Sequence, residues 1–268
     1  METLKYSILD PTGNITALVE TPVEIPNQSE TAVRIMREHP EVEQVGFVGP
    51  SPDGKTDLSL RMAGGEFCGN ASMSAAAYHC LKEDILETGQ TGKVKLTVSG
   101  ASKPVEVRLE RTGKDSFRAG VCMPPALGIT KEKFEWENLS GTLTVVSMEG
   151  ISHIIVESAS DFIQLLKEPE RVPAAAESWC RKLGADGLGL MFLDKEKESL
   201  TPFVYIPGSG TAVWEHSCAS GTSAAGMAAA KEAGTPIALT LEEPGGQLRV
   251  ESEPGGETWL YGQVRLMR

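Results

Sequence analysis

The chain has 268 residues, 40% of them hydrophobic and 23% charged, with a formal net charge of −12. That length buries a proper core in one large or two modest domains. The acidic balance excludes the basic face that nucleic acid or an anionic membrane would need, leaving a small molecule as the expected partner.

The start, Met1-Glu2-Thr3-Leu4-Lys5-Tyr6-Ser7-Ile8, lacks the basic opening and apolar stretch of a secretion signal. No apolar run approaches the roughly 18 residues of a membrane span, so a cytoplasmic location is expected. An alternating strand with a Gly-containing interruption runs from Tyr6 to Val19. A polar, helix-compatible stretch follows near Ser29 to Glu38, then short apolar strands from Val45 to Val48 and Leu58 to Met62. Cys68 opens a run of small residues, Cys68-Gly69-Asn70-Ala71-Ser72-Met73-Ser74-Ala75-Ala76-Ala77. With Ala, Met and Gly around nearly its whole circumference, this run predicts a helix buried on every side. Leu96-Thr97-Val98 and Val105-Glu106-Val107 then read as a hairpin. A charged turn at Thr112-Gly113-Lys114-Asp115 marks a boundary, giving an N-terminal half of residues 1–116 and a C-terminal half of residues 117–268.

The second half repeats the order of the first. An interrupted strand runs from Leu143 to Val156, a helical stretch divided by Pro169 and Pro173 from Ser160 to Leu183, and strands from Leu188 to Leu193 and Phe203 to Ile206. The second small-residue run is Cys218-Ala219-Ser220-Gly221-Thr222-Ser223-Ala224-Ala225-Gly226-Met227, followed by a hairpin of Leu239-Thr240-Leu241 and Leu248-Arg249-Val250. A last strand from Trp259 to Met267 could pack on either domain, the N-terminal one included. The expected fold is α+β: two pseudo-symmetric domains, each a mixed or antiparallel sheet wrapped around a central helix.

Five cysteines without a Cys-x-x-Cys pair argue against a disulfide framework and a zinc ribbon, and no metal site is expected. Cys80, Cys122 and Cys180 read as small buried hydrophobes. Cys68 and Cys218 stand at polar-to-helix junctions, where the positive end of the helix dipole stabilises a thiolate and lowers its pKa. The backbone N–H groups of such a helix start bind carboxylate; Gly69, Asn70, Ala219, Ser220, Gly221 and Thr222 are the candidates. If the two halves face each other, an amino acid's carboxylate fits between the helix starts with one sulfur on each face of its Cα. That is the layout of a cofactor-free, two-base racemase, in which the sulfurs titrate as a coupled pair. Other polar residues have plain readings on their own: Asn14 after Gly13 suits a turn, Glu43, Gln44 and Glu215 suit a surface, and His153, entering a β-branched run, suits a structural place.

Gly65-Glu66-Phe67-Cys68-Gly69-Asn70-Ala71 and Ser217-Cys218-Ala219-Ser220-Gly221-Thr222 resemble the two cysteine motifs of the diaminopimelate epimerase superfamily, cofactor-independent racemases and epimerases. The resemblance also takes in Gly13-Asn14, Gln44 and Val146-Ser147-Met148 leading to His153. Within the superfamily the chain is most similar to the histidine racemases of staphylopine-type metallophore biosynthesis. Pro11-Thr12-Gly13-Asn14, Glu43-Gln44-Val45-Gly46-Phe47, Tyr205-Ile206-Pro207, Trp214-Glu215 and Pro244-Gly245-Gly246 carry that likeness. It implies the diaminopimelate epimerase-like fold, racemisation of an amino acid, histidine first, by proton transfer between Cys68 and Cys218, no cofactor, and a homodimer. It also implies that Glu43 and Glu215 bind the substrate ammonium or an imidazole, with Asn14, Gln44 and His153 in the same site. Pro207-Gly208-Ser209-Gly210-Thr211-Ala212-Val213-Trp214-Glu215-His216 lacks the Glu-Arg pair of diaminopimelate epimerases, which disfavours that activity as the alternative. A double-bond-shifting isomerase of the superfamily would generally carry a single carboxylate instead of the cysteine pair. The remaining alternative is a non-catalytic amino-acid-binding or thiol-redox protein on the same fold.

Overall fold

The computed structural model describes residues 4–208 and 210–268; the first three residues and Ser209, which the readings of the N-terminal start and of the Pro207–His216 stretch touch, lie outside them. In chain order the elements are β1 (Tyr6–Pro11), β2 (Thr16–Val19), α1 (Ile25–Glu38), β3 (Gln44–Gly49), β4 (Leu58–Met62), α2 (Gly69–Lys82), β5 (Thr91–Val98), β6 (Val105–Gly113) and β7 (Ser116–Met123). There follow β8 (Gly128–Trp136), β9 (Leu139–Met148), β10 (Ile151–Glu157), the 3-10 segments Asp161–Lys167 and Pro169–Arg171, α3 (Val172–Leu183), β11 (Leu188–Asp194) and β12 (Ser199–Ile206). The chain ends with β13 (Thr211–Trp214), α4 (Ala219–Ala233), β14 (Ile237–Glu243), β15 (Gly246–Ser252) and β16 (Thr258–Leu266). Two compact units result: the chain up to Met123 together with Trp259–Arg268, and Pro124–Thr258.

In the first unit β1 pairs antiparallel with β2, β2 parallel with β3, β3 antiparallel with β4, β4 parallel with β5, and β5, β6 and β7 antiparallel in turn. β16 lies beside β7 and pairs antiparallel with β1, closing the strands into a ring around α2. Gly69 to Tyr78 are all buried, as the ring of small side chains requires. α1 lies outside, started by a Pro in its first turn and burying only Gln28, Ala32 and Ile35, one stripe at helical spacing. That stripe packs on Ile8, Ala17, Val19, Val45 and Phe47.

The second unit repeats the alternation: β9 antiparallel to β10, β10 parallel to β11, β11 antiparallel to β12, β12 parallel to β14, β14 antiparallel to β15. β8 pairs with β9, and β13 adds to β12. α4 is the central helix, buried at Ala219 and from Gly221 to Met227, and it passes so close to β15 that a Cβ on Gly226 would meet Val250 Cγ2 at 2.6 Å. The opposite sheet face carries α3, whose Trp179 is 1% exposed against Phe134 and Phe162. α3 and α4 each end on a left-handed glycine, Gly184 (φ 61°) and Gly234 (φ 68°).

Some details differ from the sequence reading. The stretch from Ser160 divides at Pro169 as expected, but its first part is 3-10, and Pro173 does not divide it, lying in the first turn of α3 where its missing N–H costs nothing. β7 pairs with β6 across the charged turn, so residues 117–123 belong to the first unit. Cys122 is half-buried, unlike Cys80 and Cys180, because it points outward on β7 where Val121 and Met123 point in. Among the described residues no helix is long and apolar enough to cross a membrane.

Candidate active site

Cys68 is the N-cap of α2, in extended backbone at φ −134° and ψ 118°. Its sulfur accepts the Ala71 N–H at 3.4 Å, and its carbonyl accepts the Ser72 N–H at 3.0 Å and the Ser72 hydroxyl at 2.7 Å. The thiol donates to Gln44 Oε1 at 3.0 Å. Gln44 is oriented by its other end, where Nε2 donates to Thr16 Oγ1 at 2.8 Å while that hydroxyl donates to the Asn14 carbonyl at 3.0 Å. A hydroxyl with one proton to give must accept the amide, which leaves the amide oxygen for the thiol. Asn14 Nδ2 in turn donates to Glu43 Oε2 at 2.7 Å. The structure thus joins Asn14, Glu43, Gln44, Cys68, Gly69 and Asn70 at one end of α2; Asn14 and Asn70 are buried. Thr16, wholly buried, is a member of the chain that sequence reasoning missed, although it stands two residues after Asn14 and opens the strand that pairs with Gln44.

Cys218 holds the same place on α4, at φ −126° and ψ 99°. Its carbonyl accepts the Thr222 N–H at 2.9 Å and the Thr222 hydroxyl at 2.8 Å. Its sulfur lies 3.7 Å from Ser220 Oγ and, unlike that of Cys68, caps no N–H of its helix. Two expectations change here. The Thr222 N–H is used inside the helix, so the carboxylate donors of this first turn reduce to Ala219, Ser220 and Gly221. The Cys218 thiol is pushed well above its ordinary pKa, by burial first, then by the Glu215 carboxylate, which is also hydrogen-bonded to it, and by Glu243. A helix start offers about 0.3–2 kcal/mol to an anion. Desolvating a charge costs several kcal/mol, more so beside other negative groups, and that outweighs the dipole.

His153 is 0% exposed on β10, opposite Gly189 of β11. A Cβ on Gly189 would strike the imidazole, so glycine is what lets the ring lie across the strand. Neither ring nitrogen has a hydrogen-bond partner, and burial alone lowers its pKa to about 4, keeping it neutral. Met191 links the two places: it would be struck by a Cβ on either Gly189 or Gly221, and the latter would also come within 3.2 Å of Cys218 Sγ.

The residue that sequence reasoning missed altogether is Glu243, the last of β14. It is 6% exposed, accepts the Cys218 N–H on Oε2 at 2.8 Å, and meets the Thr222 hydroxyl through Oε1. Strand alternation carried the signal: with Leu241 inward, Glu243 is inward too, and Glu242 is exposed. A cavity of about 640 Å³ in the second unit lies elsewhere, along Ala225, Ala228 and Ala229 of α4, and leaves Cys218 out of its lining. Among the described residues no cluster of His, Cys, Asp or Glu is placed to hold a metal ion.

The sequence profile of the family described as "Histidine racemase CntK N-terminal domain" matches residues 3–261. A histidine racemase of Staphylococcus aureus (strain Mu50) is 31% identical over 272 residues, covering 98% of this chain and 95% of its own length. One from Fusobacterium nucleatum subsp. nucleatum is 32% identical over 234 residues, covering 84% of this chain and 80% of its own. Among solved structures, a probable proline racemase from Agrobacterium radiobacter K84 superposes with a TM-score of 0.70 at 12% identity, over 99% of this chain and 92% of that one, and so shares the fold. The protein is therefore an isomerase, an amino-acid racemase on the two-unit racemase and epimerase fold. The chain belongs to the histidine racemase family.

Proposed function

We propose that the protein interconverts L- and D-histidine without a cofactor, using Cys68 and Cys218 as the two bases. The observation that carries this reading is the repeated N-cap cysteine: the two halves of the duplication put a thiol at the same point of the same helix. Histidine comes from the relatives named above, each a histidine racemase.

In the proposed reaction one sulfur, as thiolate, removes the Cα proton, and the other, as thiol, returns a proton to the opposite face; the reverse direction exchanges the roles. The carbanion's charge spreads into the carboxylate, where the first-turn N–H groups of Gly69, Asn70, Ala219, Ser220 and Gly221 act as an oxyanion hole, each donor worth about 3 kcal/mol. Glu43 and Glu215 bind the ammonium and the imidazole. Gln44 and Asn14 hold Cys68 and Glu43 in place, and the unpartnered nitrogens of His153 face the substrate. Free thiols throughout fit a cytoplasmic, reducing setting.

The test is proton NMR of the reduced protein in D2O, following the Cα–H signal of L- and D-histidine, the diaminopimelate isomers and other amino acids. Exchange of histidine is the expected result, lost in Cys68→Ala and in Cys218→Ala with the fold retained. Near-normal turnover in either variant would sink the two-base mechanism, and exchange with diaminopimelate alone would overturn the substrate.

A further inference from the structure

Glu243 has no part in the reaction as drawn, yet it is the buried carboxyl nearest the backbone of a reacting cysteine. Its surroundings are settled residue by residue. From the segment entering α4 it faces Glu215 and Cys218, both acidic groups. From α4 it meets Thr222; across the hairpin its partner is Gly246; Glu242 and His216, the other titratable residues of the adjoining strand end and segment, are exposed. No lysine or arginine lies between Trp214 and Thr222 or on β14.

The hydrogen bonds form a closed figure. The Cys218 N–H donates to Glu243 Oε2, and the Thr222 hydroxyl donates to the Cys218 carbonyl at 2.8 Å. The Thr222 oxygen also contacts Glu243 Oε1. A hydroxyl has a single proton, so with that proton on the Cys218 carbonyl the last contact joins two acceptors unless Oε1 carries a proton of its own. A carboxyl that is enclosed, without a cation and beside a second carboxylate, is the kind that keeps its proton.

We propose that Glu243 is a positioning residue for Cys218, held as the neutral acid, closing a ring of hydrogen bonds that fixes the Cys218 peptide without setting another negative charge beside its sulfur. The ring runs from the Glu243 O–H to Thr222 Oγ, from the Thr222 O–H to the Cys218 carbonyl, and from the Cys218 N–H back to Glu243. Burial and Glu215 raise the Glu243 pKa to about 8, in agreement with the neutral form. Ionisation would break the ring and oppose the thiolate that Cys218 must become in one direction of the reaction. The first unit has no counterpart: Gly100, at φ 69° after β5, packs so tightly on the backbone of Glu66 and Phe67 that no side chain fits there.

The inference rests on the racemase reading, but its first two tests need no turnover. Infrared difference spectra of the protein against Glu243→Gln should show the carbonyl stretch of a protonated acid at neutral pH, lost on raising the pH. In a Cys68→Ala background, Glu243→Gln should lower the pH of half-maximal Cys218 alkylation by about one unit, since a like charge nearby opposes ionisation. Turnover adds the third: Glu243→Gln, whose amide can reproduce the ring, should keep kcat within about tenfold at neutral pH with KM unchanged, and should hold its rate to higher pH than the parent. Should Glu243→Gln not fold, Thr222→Val removes the ring's hydroxyl and should cut kcat at least about tenfold with KM within about twofold. Absence of the acid band at neutral pH, an unmoved alkylation curve, or a Thr222→Val enzyme with normal kcat would each overturn the proposal. A protein that shows the band and the alkylation shift but exchanges no Cα–H fails the racemase reading alone.

Discussion

Replacing Glu243 by glutamine should stabilise the protein by an amount that grows with pH. The folded pKa of Glu243 is about 8 against 4.5 for the ordinary side chain. Above the unfolded value the unfolded chain sheds this proton and the folded chain keeps it, so stability falls as pH rises through that window and levels off beyond the folded value. At about 1.36 kcal/mol per unit, the whole window is worth roughly 5 kcal/mol, of which about 4 kcal/mol falls between about pH 5 and pH 9. Glutamine does not titrate, so the stability difference between variant and parent should widen by that amount across the range. His153 complicates the parent's own curve. Its pKa is lowered from 6.5 to about 4, so the unfolded chain binds a proton in that interval that the folded chain refuses, and stability rises with pH there. The two slopes oppose each other up to about pH 6.5, and only the difference between the two proteins isolates Glu243. Urea titrations followed by tryptophan fluorescence are well placed, since Trp136, Trp179 and Trp214 all lie in the second unit. A difference equal at pH 5 and pH 9 to within about 1 kcal/mol would mean that Glu243 is charged throughout, and the neutral ring would be refuted.

Two further substitutions probe the packing behind the site. His153→Leu should abolish the part of the acid-side loss of stability, about 3 kcal/mol, that develops as pH falls from 6.5 to 4, measured by the same titrations; an unchanged acid limb would show the ring to be solvated. Gly226→Ala gains about 1 kcal/mol of helix propensity but sets a methyl 2.6 Å from the branched Val250, and overpacking of about 1–3 kcal/mol should leave a net loss near 1 kcal/mol. A more stable alanine variant would show that α4 has room to move off β15.

The duplication was legible because its signals are local. Small-residue runs after Cys68 and Cys218, and short apolar runs in the same order, need no knowledge of partners, and the parallel and antiparallel alternation of β1 to β6 returns in β9 to β15. β8 was missed because its exposed residues, Thr130, Lys131, Lys133 and Glu135, are polar and only Phe134 is buried. The ring closure by β16 was open because that strand's partners are about as far away in sequence as the chain allows, Leu9 with Leu266 among them. The acid–thiol contacts were illegible for a different reason. A glutamate in sequence reads as surface, and only enclosure by β14 and the α4 start turns Glu243 into a perturbed acid and Cys218 into a reluctant one.

Helix starts favour Ser, Thr, Asp or Asn, whose oxygen accepts a first-turn N–H, and replacing such a cap typically costs about 1 kcal/mol. Sulfur is a weak acceptor. Cys68 manages one long contact to Ala71, and Cys218 sits over a buried acid in place of an ordinary side-chain cap. Both central helices therefore start on a residue that stability alone would not select, at equivalent positions. The polar groups beneath them differ: a neutral amide, Gln44, receives the Cys68 thiol, whereas Glu215 and Glu243 attend Cys218. Duplication accounts for the shared position, which the scaffold fixes. It does not account for the difference, which lies in single side chains at strand ends. In the proposed reaction the two sulfurs hold one proton between them and must be ranked, and unequal surroundings would let two copies of one helix start do so.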